Sequence, residues 1–100
     1  MNACQDAGYA MISQPMRKVP EEEILAVRKE AERVMKAKGF SVLNTYFDVD
    51  ANPIGMLAKS IEAMSKCNAV YFCRGWETAR GCVIEHEIAQ EYGLGLYYAE

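Results

Sequence analysis

Glu85 is the residue whose placement in this chain most invites chemistry. It lies in the stretch Asn68 to Gly93, NAVYFCRGWETARGCVIEHEIAQEYG, which reads as a buried strand, a polar turn and an amphipathic helix. At about 100° per residue, Gly81, Cys82, Ile84, Ile88, Ala89 and Tyr92 fall on one helix face, with Val83, His86, Glu87, Gln90 and Glu91 on the other. Glu85 projects from the middle of the apolar face, where a carboxylate is costly unless it is hydrogen-bonded, paired or employed. Near a helix N-terminus such a group can act as nucleophile, as general base or as an anchor for hydroxyls. Arg74, Arg80 and Arg17 are close enough in sequence to hold a phosphate or to pair with it, and Trp76 can stack on a flat ring. A purely structural reading stays open beside this one. Glu85 could bond only to backbone amides of the first strand loop, the arginines could be surface side chains, and Trp76 could pack at a dimer interface.

The other candidate groups carry less. The loop Gly75 to Gly81 has neither GxGxxG nor GK[ST], so a triphosphate cradle is not supported. Asp48 and Asp50 lack the remaining ligands and the glycine of a calcium loop, which leaves turn chemistry. Cys4, Cys67, Cys73 and Cys82 show no CxxC spacing, and His86, the one histidine, falls on the expected solvent face; a metal site is therefore not expected. Three of those cysteines lie in or beside expected core elements, which suits buried thiols in a reducing cytosol. Eleven basic against fourteen acidic side chains give a net charge of −3, so no overall field draws the protein to a nucleic acid polymer or an anionic membrane. The start, MNACQDAGYAM, has no basic region followed by a long apolar run, and no stretch approaches membrane-spanning length. A cytoplasmic, soluble protein without a cofactor is expected.

One hundred residues are enough for one domain with a core, and few enough to gain from a partner subunit. Residues 1–8 read as a loose lead-in and 9–100 as a single domain. Tyr9 to Ser13 reads as a first strand, followed by the turn Gln14, Pro15, Met16, Arg17, Lys18, Val19, Pro20. A helix runs from the acidic turn Glu21, Glu22, Glu23 to Lys38, with Ile24, Val27, Ala31, Val34 and Met35 on its apolar face and the charges facing solvent. Gly39 stops it. Phe40 to Phe47 reads as the second strand, and Asp48 to Pro53 as a loop. Ile54, Leu57, Ala58, Ile61 and Met64 repeat at helical spacing to about Lys66. Val70 to Cys73 forms the third strand, Thr78 offers a cap to the third helix, Gly93 ends it, and Leu94 to Tyr98 is the fourth strand. Right-handed crossovers between such elements give a three-layer α/β sandwich with a four-stranded parallel sheet. In the order 2-1-3-4, ligands sit where the order reverses, between the ends of strands one and three. That crevice would be lined by Ser13, Gln14, Pro15, Met16 and Arg17 on one side and by Arg74, Gly75, Trp76 and Gly81 on the other.

The pattern GWETARGCVIEHEIAQEYGL after the strand NAVYF, together with the early ISQPM, resembles a DUF4406-like family of small bacterial and phage proteins related to nucleoside 2-deoxyribosyltransferases. The resemblance spans about residues 10–98, with Gly75, Trp76, Gly81, Glu85 and Ala89 as its specific positions. It implies a deoxyribosyltransferase-like, flavodoxin-like fold in a homodimer or higher homo-oligomer. It also implies that Glu85 attacks the anomeric carbon of a nucleoside or nucleotide, forming a glycosyl ester that a second base or water resolves. Two positions depart from the transferases: Met11 stands where they carry a tyrosine, and Ser60 where they carry an aspartate that handles the leaving base. The readings that follow are an N-glycosidic enzyme with Glu85 as nucleophile, an inactive nucleotide-binding module, and a structural or partner-binding accessory protein.

Overall fold

The computed structural model describes residues 7–45 and 52–100. Residues 1–6 of the expected lead-in, Cys4 included, and residues 48–51 of the expected loop, with Asp48 and Asp50, lie outside the described residues. Four strands, β1 (Tyr9–Ser13), β2 (Ser41–Val42), β3 (Ala69–Phe72) and β4 (Gly95–Tyr98), alternate with three helices, α1 (Glu21–Ala37), α2 (Pro53–Met64) and α3 (Arg80–Glu91). The sheet is wholly parallel in the order β2-β1-β3-β4, as expected. Among the described residues no helix is long and apolar enough to cross a membrane.

Alternation along the strands divides the core into two halves. Ala10, Ile12, Ala69 and Tyr71 face α1, where Ala31 and Met35 meet them. Met11, Val70 and Phe72 face the other way, toward Met64 of α2 and Ala89 of α3. Helices therefore cover both sheet faces, and Ser13 and Phe72 stand side by side at the carboxyl ends of β1 and β3.

The helix stops follow the glycines. Gly39 takes φ 97° and Gly93 φ 77°, a left-handed conformation that suits glycine. In each case the residue beyond reaches back to the last turn: Phe40 N–H donates to Met35 O at 3.1 Å and Leu94 N–H to Ala89 O at 2.9 Å, the Schellman pattern. At the start of α2, Asn52 accepts from Ile54 N–H and Gly55 N–H at 3.2 Å each, with Pro53 in the first helical position.

Four local expectations need correction. β2 is Ser41–Val42: of the strand expected from Phe40 to Phe47, residues 40 and 43–45 are not in it, and residues 46–47 lie outside the described residues. Leu43 N–H still donates to Ala10 O at 2.9 Å, and beyond it the Thr45 hydroxyl, in place of a ladder bond, donates to Ile12 O at 3.1 Å. Thr78 does not cap α3; it lies in a 3-10 turn, Trp76–Thr78, where its hydroxyl donates to Gly75 O at 2.9 Å, and α3 begins after Ala79 without a side-chain cap. On α1 the buried stripe is Ile24, Arg28, Ala31, Met35: Val27 is exposed, and a charged residue has taken the inward position. His86 is half-buried rather than solvent-facing. Its ring stacks on Trp76 at 4.3 Å and 20° and meets Phe72 edge-on at 4.9 Å, while Nε2 lies 2.7 Å from Tyr98 Oη.

Candidate functional site

Because β1 and β3 are neighbours and α3 crosses back over β3, the second turn of α3, which carries Glu85, lies over the end of β1. Glu85 is 7% exposed. Ser13, the last residue of β1, donates its hydroxyl to Glu85 Oε1 at 2.6 Å, a short, charge-assisted geometry. Ser60, from the last half of α2, also faces the carboxyl and favours its charged form. The acid is thus reached from β1 and α2 while being carried by α3. Burial holds its pKa above the ordinary 4.5, and the Ser13 and Ser60 hydroxyls and the charge of Arg28 oppose that rise. Among the described residues every buried side-chain polar atom has a hydrogen-bond partner, so Glu85 is both buried and satisfied.

Cys82 sits one turn before Glu85 on the same face and is also buried. Burial, reinforced by the charge of Glu85 and opposed by a hydrogen bond with Ser13, pushes its thiol up to about 11. Burial likewise pushes Cys73 up to about 12 and Cys67 to about 11. Thiols so shifted and shielded hold almost no thiolate at neutral pH. Alkylation of these three by iodoacetamide, read peptide by peptide with mass spectrometry, is expected to run at least about a hundredfold slower in the folded than in the unfolded protein; comparable rates would contradict the packing.

The remaining expected site residues separate into groups. Gln14 is buried and engaged with the fold: its Nε2 donates to Ile24 O at 2.8 Å and its Oε1 accepts from Arg28 Nε at 3.1 Å. Pro15 and Met16 are half-buried, and a Cβ built on Gly75 would lie 3.7 Å from Pro15 Cγ, so the loops after β1 and β3 touch beside the strand ends. Gly75 holds φ 88°, which suits glycine there. Gly81, in the first turn of α3, has nothing within 4 Å of a Cβ position and borders open space. Arg17 is exposed at the turn after β1, and Arg80 is exposed at the first residue of α3. Arg74 does not join them: its guanidinium bonds to the backbone oxygen of Glu100. Trp76 is half-buried in a cluster with Phe72 at 5.3 Å, Tyr98 at 5.8 Å and the stacked His86, so one of its faces belongs to the fold. Met11 is core, 1% exposed, whereas Ser60 faces Glu85.

An open groove of about 1000 Å³ lies elsewhere. It runs between α1 and the β3–β4 side of the sheet, lined by Val27, Glu30, Val34, Tyr71, Arg74 and Tyr97 among others, on the face opposite Glu85.

The residue that sequence reading missed is Arg28. It is 5% exposed, bonds to Gln14 and donates from Nη1 to Thr45 Oγ1 at 3.2 Å. The signal was available: Arg28 follows Ile24 by four residues and precedes Ala31 by three, the same in-stripe spacing that singled out Glu85 between Cys82 and Ala89.

Taken together, the fold and site define a small doubly wound α/β protein with, among the described residues, one buried carboxylate, bonded by Ser13 and faced by Ser60, at the switch point of its sheet. The chain belongs to the family described as Domain of unknown function (DUF4406), whose model matches residues 9–98. No curated protein and no solved structure matches it.

Proposed function

We propose that this protein binds a nucleoside or nucleotide at the carboxyl ends of β1 and β3 and cleaves or transfers its N-glycosidic bond through Glu85. The observation that supports this is a buried carboxylate at the strand ends, held by Ser13 at 2.6 Å and faced by Ser60, at the position where the resemblance to nucleoside 2-deoxyribosyltransferases puts the nucleophile. In the first step a Glu85 oxygen bonds to the anomeric carbon as the carbon–nitrogen bond breaks. The electron pair leaves with the base nitrogen, which takes a proton from solvent, since Ser60 is not a carboxylic acid. In the second step water or another base attacks the anomeric carbon, loses a proton to solvent, and returns the ester electron pair to Glu85. Arg17, exposed beside the crevice, is the cation best placed to meet a 5′-phosphate, because Arg74 is turned to Glu100. The same reading takes the protein as cytosolic and as a homo-oligomer. Tyr92 at 81% and Tyr98 at 45% exposed are surface that a second copy could cover.

One observation favours a second reading. The hydroxyl bonded to Glu85 comes from Ser13 of the protein itself and ties α3 to β1, which is what a structural carboxylate, or a binding module without turnover, also needs. Base release separates the two. Purified protein and a Glu85→Ala variant are incubated with deoxyribonucleosides, ribonucleosides and their 5′-monophosphates, with and without a second free base, and products are separated chromatographically. Free or exchanged base that vanishes in the variant is the expected result. No release from any substrate would leave binding or structure as the function of this site.

A further inference from the structure

Arg28 stands directly across the sheet from the candidate site, on α1, while Glu85 comes from α3. Burying a guanidinium is costly until its partners offset the lost hydration, and an aliphatic residue would complete the Ile24, Ala31, Met35 stripe at less cost. The position of the fork explains its presence. One arm takes Gln14 Oε1 at 3.1 Å and the other Thr45 Oγ1 at 3.2 Å. Both acceptors are fixed in turn, Gln14 by Ile24 O at 2.8 Å and Thr45 by Ile12 O at 3.1 Å. Arg28 thus ties together the end of β1, the segment after β2 and the first turn of α1. Gln14 is bonded to Ser13 through one peptide, and successive side chains point to opposite faces; holding Gln14 toward α1 therefore turns Ser13 toward Glu85.

We propose that Arg28 is a positioning residue of the site: by clamping Gln14 and Thr45 it fixes the end of β1 so that Ser13 meets the Glu85 carboxylate, and it sets a positive charge beneath the strand ends. This rests on Glu85 being the working group of the site. Glu85 is faced by Ser13 from β1, Ser60 from α2, Arg28 from α1 and Cys82 from its own helix. Of these Arg28 alone carries a charge at neutral pH, given the raised thiol of Cys82. A lysine keeps the charge but not the planar two-armed fork, so it reaches one acceptor at a time.

The test is an NMR titration of the Glu85 carboxyl, using isotope-labelled glutamate side chains assigned with Glu85→Gln. Wild type is compared with Arg28→Met and with Arg28→Lys, the latter retaining charge where loss of it prevents folding. The expected result is a midpoint raised by roughly half a unit or more in Arg28→Met, and a smaller rise in Arg28→Lys. A wild-type midpoint in either folded variant would overturn the proposal. The titration needs no substrate, so it is judged apart from turnover. A shifted midpoint without base release counts against the glycosidic reading alone. Base release with an unshifted midpoint counts against the role of Arg28 alone.

Discussion

Glu85→Gln is expected to abolish base release, by at least about a thousandfold as when a nucleophile is removed, while leaving the protein folded and at least as stable as wild type at neutral pH. The stability half of this follows from burial. The folded state holds the Glu85 pKa above its ordinary 4.5, so the folded protein binds that proton more tightly than the unfolded chain does. The resulting stabilisation is fully present below pH 4.5 and is lost as pH rises through the folded value. Glutamine has no such loss, and its amide can still accept from Ser13. The melting temperature of the variant relative to wild type should therefore climb with pH across that window. Turnover of the wild type should climb with pH over the same interval, because only the carboxylate attacks. A structural Glu85 gives a different pattern: the variant loses the equivalent of roughly 1 to 3 kcal/mol, the cost of disturbing a buried hydrogen-bonded group. A stable variant with unchanged base release would refute both accounts.

Phe72→Ala should produce the largest loss of stability, about 3 to 5 kcal/mol, the range for truncating a buried aromatic. Phe72 is fully buried and meets the rings of Trp76, His86 and Tyr98 at 4.9 to 5.8 Å. It is also paired in register with Ser13, so the cavity opens beside the candidate site. A small domain has only about 5 to 15 kcal/mol in total, which makes this a substantial share. Denaturant unfolding measures it, and the fluorescence of Trp76, the one tryptophan in the chain, reports the local effect as a red shift. A loss under about 1 kcal/mol would mean that the aromatic cluster is not packed as described.

The fold was legible because the signals that specify it are local. Gly39 and Gly93 end helices through backbone conformation alone, the acidic run Glu21 to Glu23 marks a helix start, and the alternation of strands and helices with right-handed crossovers leaves few sheet orders. Glu85 was legible for a related reason: a charge in an apolar stripe conflicts with the pattern around it. Arg28 makes the same conflict in its own stripe, yet Val27 beside it completes an equally regular face. One residue of helix rotation, about 100°, decides between them, and periodicity tolerates that much error. Thr78 and His86 were misread because their roles depend on neighbours distant in sequence or on a tight turn that composition does not mark.

By itself, then, the sequence determined the parallel α/β architecture, the helix boundaries to within a residue or two, and one carboxylate on the wrong face of its helix. Only the tertiary structure decided what that carboxylate touches. Ser13 and Glu85 are 72 positions apart, and Arg28 reaches the site from the other side of the sheet. Which hydroxyl, cation or ring meets a buried acid is set by how layers pack across long loops, a relation that no spacing within one segment encodes.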